Sequence, residues 1–145
     1  LVYDDSALPP TYTAFGTIYV EEVEKLLAKG RNRLASKELY VARFYADRDA
    51  WGAVRLRTEY LLRKYPNTEP VPEALALLGV ALHAWGEVDE AGEIRARLAR
   101  DFPESSYVKR LDHAVSKPAG SPPDERVFIR PYRIRGVSPQ GSGAY

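Results

Sequence analysis

Along the chain, apolar side chains recur at three- and four-residue spacings, the signature of helices with one buried face. Tyr19, Val23, Leu26, Leu27 and Leu34, with charges between them, predict nearly continuous helix over residues 18–48. Gly30 lies inside that stretch and costs about 1 kcal/mol against alanine, so the helix can bend there. The first clear helix within it covers residues 33–48, with Leu34, Val41, Phe44 and Tyr45 as its apolar face and small Ala42 where a neighbour comes close. Arg48-Asp49-Ala50 makes a turn, and a second helix runs from about Trp51 to Lys64 on Val54, Leu61 and Tyr65. Residues 72–85 and 88–101 repeat the plan, with Leu75, Leu78, Gly79 and Leu82 facing Val88, Ala91, Ile94 and Leu98. Gly86 stands at the second turn, where a positive φ is expected. Pro66 and Pro103 close each unit because proline cannot continue a helix. Ser105-Ser106 can cap a last helix from Tyr107 to about Val115, which would cover the apolar end of the stack.

The two helix pairs are related by one offset. Tyr65-Pro66 and Phe102-Pro103 lie 37 residues apart, and the same shift carries Ala42 to Gly79, Trp51 to Val88, Val54 to Ala91 and Leu61 to Leu98. Order and spacing resemble the tetratricopeptide repeat. Asp49 stands where that repeat usually has glycine, Val54 where it has alanine, and the extra length falls in a loop at Asn67–Pro70. The fold class expected is all-α: a solenoid of tetratricopeptide-type helix-turn-helix repeats with an irregular C-terminal tail.

The flanks differ from this frame. Pro10 to Phe15 look like a helix start that Gly16-Thr17 breaks after one turn. Thr17-Ile18-Tyr19-Val20 resembles Ser105-Ser106-Tyr107-Val108, which follows a Phe-Pro stop. Residues 1–16 are therefore expected to be the remnant of a preceding repeat, with about fifteen residues missing between Phe15 and Thr17; residues 17–115 are the repeats with their capping helix. Residues 116–145 hold five of the eleven prolines, four of the ten glycines, five basic and two acidic residues, and most of them are expected to be disordered in isolation. Within them Val127 to Arg135 alternates apolar and basic side chains. Phe128, Arg130, Tyr132 and Arg133 are candidates for an extended segment laid on a partner, and Pro131 restricts such a strand to an edge; a solvated tail is the alternative.

Composition narrows the function. The net charge of +1 lacks the strong basic excess of a nucleic-acid binder. No run of apolar residues is long enough for a transmembrane helix, and no signal-peptide pattern is present. Without methionine and opening Leu1-Val2-Tyr3, the chain reads as a piece of a longer protein. Without cysteine it has no disulfide, thiolate metal site or cysteine nucleophile. His83 and His113 are isolated and read as structural or exposed. Asp47/Asp49 and Glu87/Asp89/Glu90 lie at turns, where acids help start helices. Trp51 and Trp85 sit beside turns, and packing is the simpler role for both. No convergent catalytic set and no cofactor are expected.

One segment is more specific than a generic repeat. Leu34-Ala35-Ser36-Lys37-Glu38-Leu39-Tyr40-Val41-Ala42-Arg43-Phe44-Tyr45, with Ala50-Trp51-Gly52-Ala53-Val54 and Tyr65-Pro66-Asn67-Thr68, resembles the BamD family of outer-membrane assembly lipoproteins over roughly residues 17–115. The resemblance implies the C-terminal repeats of a non-catalytic periplasmic scaffold, lipid-anchored to the outer membrane through an N-terminal cysteine absent here. It implies a BamA-like barrel, held by its POTRA domains, as the partner, with accessory assembly lipoproteins and unfolded outer-membrane proteins as further ones. Family residues that contact POTRA acids map onto Arg48 and Arg57; Arg55 is a neighbour by sequence only. The same arginines read equally as a solvated helix face. The rival readings are a Tol–Pal-associated envelope coordinator and a regulatory repeat domain of a cytosolic assembly.

Overall fold

The computed structural model describes residues 10–122. Five helices follow one another: α1 (Pro10–Ala46), α2 (Trp51–Lys64), α3 (Val71–Ala84), α4 (Val88–Asp101) and α5 (Ser106–Val115). Among the described residues there is no strand. The all-α repeat fold is thus the one expected.

The 37-residue offset is a structural repeat as well as a sequence one. Ala50 and Glu87 precede α2 and α4 with φ/ψ of −82°/63° and −80°/66°. Tyr65 and Phe102 end them at −130°/57° and −136°/61°. The amide of Ala50 donates to the Tyr45 carbonyl and that of Glu87 to the Leu82 carbonyl, each at 3.0 Å. The residue before each of these helix leads is left-handed: Gly86 at φ 79° and Asp49 at φ 55°. The turn needs that conformation, and only glycine adopts it without a steric cost. Asp49 accepts it because a short polar side chain tolerates the left-handed region better than most.

The core is organised by α3. Its sequence is apolar nearly all round, which is how a helix enclosed on every side reads. It touches α1, α2, α4 and α5, and eight of its fourteen residues are buried. Leu61 of α2, Leu75 of α3, Leu98 of α4 and Leu111 of α5 are fully buried within one cluster. Gly79 is what lets α5 approach. A Cβ there would lie 2.7 Å from Leu111 Cδ1 and 2.9 Å from Cδ2. The capping role expected for Ser105 is present: its side chain accepts from the Tyr107 amide at 3.3 Å, and α5 starts at Ser106.

Three expectations are corrected. α1 runs unbroken through Gly16 and Thr17, so the break expected there is absent, and it also passes Gly30 as one helix. At both glycines a Cβ would meet nothing within 4 Å; no packing forces the chain to turn, and flanking helix formers carry a single glycine through. The boundary drawn between residues 16 and 17 therefore falls inside a helix. Second, the buried side of α1 is Ala35, Leu39 and Ala42, whereas Leu34 and Phe44 are exposed and Val41 and Tyr45 half-buried. Small alanines bring the helix axes close, which moves the contact away from the larger side chains. Third, Val88 is exposed, and α4 packs through Ala91 and Leu98.

After α5 the chain folds back. Lys117 carbonyl oxygen meets His83 Nε2 at 2.8 Å, and the Gly120 amide donates to the His83 carbonyl at 3.1 Å. Gly120 lies so close to the end of α3 that a Cβ would fall 1.7 Å from the Ala84 carbonyl oxygen. Residues 117–122 thus strap the α3–α4 turn, and residues 123–145 lie outside the described part.

Leu111→Ala is expected to lower unfolding stability by about 2–4 kcal/mol, read from chemical denaturation, because the void opens between α5 and Gly79. At the two equivalent turns the effects should have opposite sign. Asp49→Gly is expected to stabilise by roughly 0.5 kcal/mol. Gly86→Ala is expected to destabilise by about 2 kcal/mol, since its Cβ would also meet the Gly120 carbonyl oxygen at 2.7 Å. A thermal melt of each variant checks the pair.

Candidate partner-binding surface

Of the three arginines named from sequence, Arg48 lies in the turn between α1 and α2 and Arg55 and Arg57 lie on α2, and they do not form one patch. Arg48 stands at the turn. Its guanidinium lies 3.6 Å from the centroid of the Phe44 ring and donates from Nη1 to the Phe44 carbonyl at 2.9 Å. The result is a flat, exposed cation on an aromatic face, with Tyr45 edge-on behind Phe44.

Arg55 points the other way, toward the second repeat. It donates from Nε to Glu59 at 2.9 Å and from Nη1 to Glu87 at 2.8 Å, with Glu90 at 3.5 Å from Nη2. Hydrogen bonding to Glu59, aided by the charges of Glu87 and Glu90, raises its pKa above the ordinary arginine value despite partial burial. Three carboxylates around a side chain that is 29% exposed make Arg55 a clasp between repeats. Glu87 and Glu90 are also placed at the start of α4, where a helix N-terminus favours negative charge.

Arg57, two residues on, is turned toward α1. It donates from Nη1 to Glu38 at 3.2 Å while its own side chain stays 47% exposed. One longer contact at the surface is weak, so this guanidinium retains donors for another carboxylate. The tail residues Phe128, Arg130, Tyr132 and Arg133 lie outside the described residues.

A second polar cluster was not expected from sequence. Arg43 of α1 forms a two-pronged pair with Glu73 of α3, and Tyr107 of α5 donates its hydroxyl to the same carboxylate at 2.7 Å. Hydrogen bonding from Arg43, reinforced by Tyr107, lowers the Glu73 pKa against the effect of burial. The bond to Glu73 in turn raises the Tyr107 phenol. The three residues are separated by 30 and 34 positions, and no local pattern marks them.

Elsewhere a polar groove of about 250 Å³ lies between α1 and the α2–α3 loop, lined by Arg31, Asn32, Lys64, Tyr65 and Asn67 among others. It offers cations and amides, with no carboxylate or imidazole in its lining for acid–base work. Among the described residues no group of three or more potential metal ligands comes together, and no helix is long and apolar enough to cross a membrane.

Because the folded-state pKa of Glu73 is depressed, its contribution to stability is present above the ordinary carboxylate range and is lost as pH falls through the lowered value. Glu73→Gln is therefore expected to cost about 1 kcal/mol near neutral pH, a figure discounted because Arg43 is half-exposed. The difference from the parent should shrink toward zero in acid. Denaturation midpoints of both proteins across pH check this; a gap that stays constant into acid would sink it.

Comparison with known proteins agrees with this architecture. Residues 16–96, more than half of the chain, match the YfiO family, described as Outer membrane lipoprotein. The outer membrane protein assembly factor BamD of Neisseria meningitidis serogroup A (strain Z2491) is 30% identical over 119 residues, covering 77% of this chain and 43% of that protein. BamD of Xylella fastidiosa (strain 9a5c) is 30% identical over 114 residues, covering 73% and 39%. BamD of Haemophilus influenzae is 37% identical over 68 residues, covering 47% and 26%. The chain spans less than half the length of these relatives. No solved structure matches. The resemblance carried by Leu34–Tyr45, Ala50–Val54 and Tyr65–Thr68 is thereby borne out: the chain belongs to the YfiO family of outer membrane lipoproteins and is BamD-like.

Proposed function

We propose that this chain is a non-catalytic scaffold segment of the outer-membrane β-barrel assembly machinery. It works at the periplasmic face of the outer membrane, tethered by an N-terminal lipid on the whole protein. The family match over residues 16–96 carries the reading. In support, the polar clusters among the described residues link helices to one another. The partner is a BamA-like barrel, engaged through its POTRA domains. Accessory lipoproteins and unfolded outer-membrane proteins are further partners of the whole protein.

On this reading the arginines differ in role. Arg57 keeps exposed donors and a weak internal pair, so it suits a bidentate contact with a POTRA carboxylate. Arg48, stacked on Phe44, supports the same contact from the turn. Arg55 acts mainly within the chain, holding the second repeat. The strap at residues 117–122 delivers the tail to the α3–α4 turn. From there Phe128, Arg130, Tyr132 and Arg133 would add a strand to the partner.

The test separates the two roles. Arg57→Glu is expected to weaken binding to isolated POTRA domains about tenfold, with an unchanged circular dichroism spectrum and melting temperature. Arg55→Glu is expected to lower the melting temperature instead, since it sets a fourth carboxylate among three. Titration calorimetry that finds full POTRA affinity for a folded Arg57→Glu variant would remove Arg57 from the interface. Affinity purification of the full-length protein from envelope extract, without recovery of a POTRA-bearing barrel, would overturn the function itself.

A further inference from the structure

The two helix turns share one backbone plan, yet the chain covers only one of them. The amides of Asp49 and Gly86 donate to the carbonyls of Ala46 and His83, each at 3.1 Å. At the first turn Arg48 adds a side-chain donor, to the Phe44 carbonyl. At the second, a donor arrives from beyond α5: the Gly120 amide reaches the His83 carbonyl at 3.1 Å. Among the described residues no second amide reaches the Ala46 carbonyl. The last carbonyls of a helix have no partner within it, so the strap at residues 117–122 acts as a cap for α3.

His83 grips the strap twice. Besides its main-chain carbonyl, its ring Nε2 lies 2.8 Å from the Lys117 carbonyl oxygen. A carbonyl only accepts, so Nε2 carries the proton. The strap sequence suits this seat. Pro118 and Pro122 fix their own φ and bias Lys117 and Ser121 toward extended backbone, which lowers the entropy lost when the segment is held. Between the prolines, Gly120 turns a bare Cα toward α3. A Cβ there would fall 1.7 Å from the Ala84 carbonyl oxygen, a clash with backbone; glycine offers a Cα–H to that oxygen instead. The facing residue is bare as well. A Cβ on Gly86 would lie 2.7 Å from the Gly120 carbonyl oxygen and 3.6 Å from Pro122 Cδ. The counterpart of Gly86 at the first turn is Asp49, also left-handed, and its Cβ takes the space that the strap uses at the second.

We propose that residues 117–122 are a latch on the α3–α4 turn, and that the facing glycines, Gly86 and Gly120, are what let it close. Closed, the latch caps α3 and covers His83, Ala84 and Gly86. Open, it bares that turn and releases the root of the tail. The latch stands on contacts within the chain and holds whichever partner the whole protein engages.

Amide hydrogen exchange on the 145-residue chain, followed by NMR, is expected to show the Gly120 amide protected about tenfold or more over its free rate. Gly86→Asp gives the second turn the residue that the first turn already holds in left-handed form. It is expected to abolish protection at Gly120 and to leave the amides of Leu78 and Leu98 as protected as in the parent. Gly120→Ala is expected to abolish protection at residue 120 from the other side, and the double variant should go no further than either single one. Elastase, which cuts after small residues, is expected to cleave the Gly86→Asp chain after Ala119 about tenfold faster than the parent. A parent whose Gly120 amide exchanges at the free rate overturns the latch. So does a Gly86→Asp chain with parental protection and cleavage, since the bare pair would then not be what closes it. If Gly86→Asp also weakens protection at Leu78 and Leu98, Gly120→Ala on the exposed strap decides alone: protection lost at residue 120 upholds the latch, and protection kept overturns it.

Discussion

Everything in the described structure hangs on α3 being enclosed by the other four helices. Enclosure requires close approach, and close approach requires small residues at the contact points. Gly79 is the clearest of these: Leu111 fills the space where its side chain would be. Ala74, Ala76 and Ala81 extend the same principle along the helix. A helix so apolar would be insoluble alone. Its partners on α2, α4 and α5 turn that liability into the main source of stability, at roughly 25 cal/mol per Å² of apolar area removed from water. The 37-residue repeat matters because it supplies two matching helices, α2 and α4, to flank this one.

Around that core the ion pairs act as clasps between elements distant in sequence. Arg43, Glu73 and Tyr107 tie α1, α3 and α5 together, and Arg55 ties α2 to the start of α4. Such pairs add little as isolated surface bridges, but a carboxylate with two donors and an arginine with three acids are locked in orientation. This consumes cations. Of the arginines on α2, Arg55 is occupied internally and Arg57 is left with spare donors, although both look alike in sequence.

The two halves of α1 live under different rules. Downstream of about Asn32 the helix is part of the body and buries Ala35, Leu39 and Ala42. Upstream it projects, and its valines and leucines face solvent. Helix propensity and hydrogen bonding within the helix allow it to continue, but nothing within the described chain rewards its apolar seam.

By itself the sequence determined the repeat. The 37-residue offset, the prolines that end each unit, the left-handed turn at Gly86 and the cap at Ser105 are local rules of backbone conformation, and local rules are legible one residue at a time. The family was also legible, because the Leu34–Tyr45 segment is specific. Only the tertiary structure decided which sides of the helices are covered. Leu34 and Phe44 have the periodicity of a core face, yet Ala35, Leu39 and Ala42 take that place. Periodicity fixes a stripe but not the neighbour that meets it. The same holds for the candidate site. Sequence placed Arg48 at the turn and Arg55 and Arg57 close together on the second helix, but a rotation of about 100° per residue sends Arg55 toward Glu87 and Arg57 toward Glu38. Whether a charge is spent inside the molecule or left for a partner depends on what packs beside it, and that is set by contacts 19 to 32 positions away in the chain.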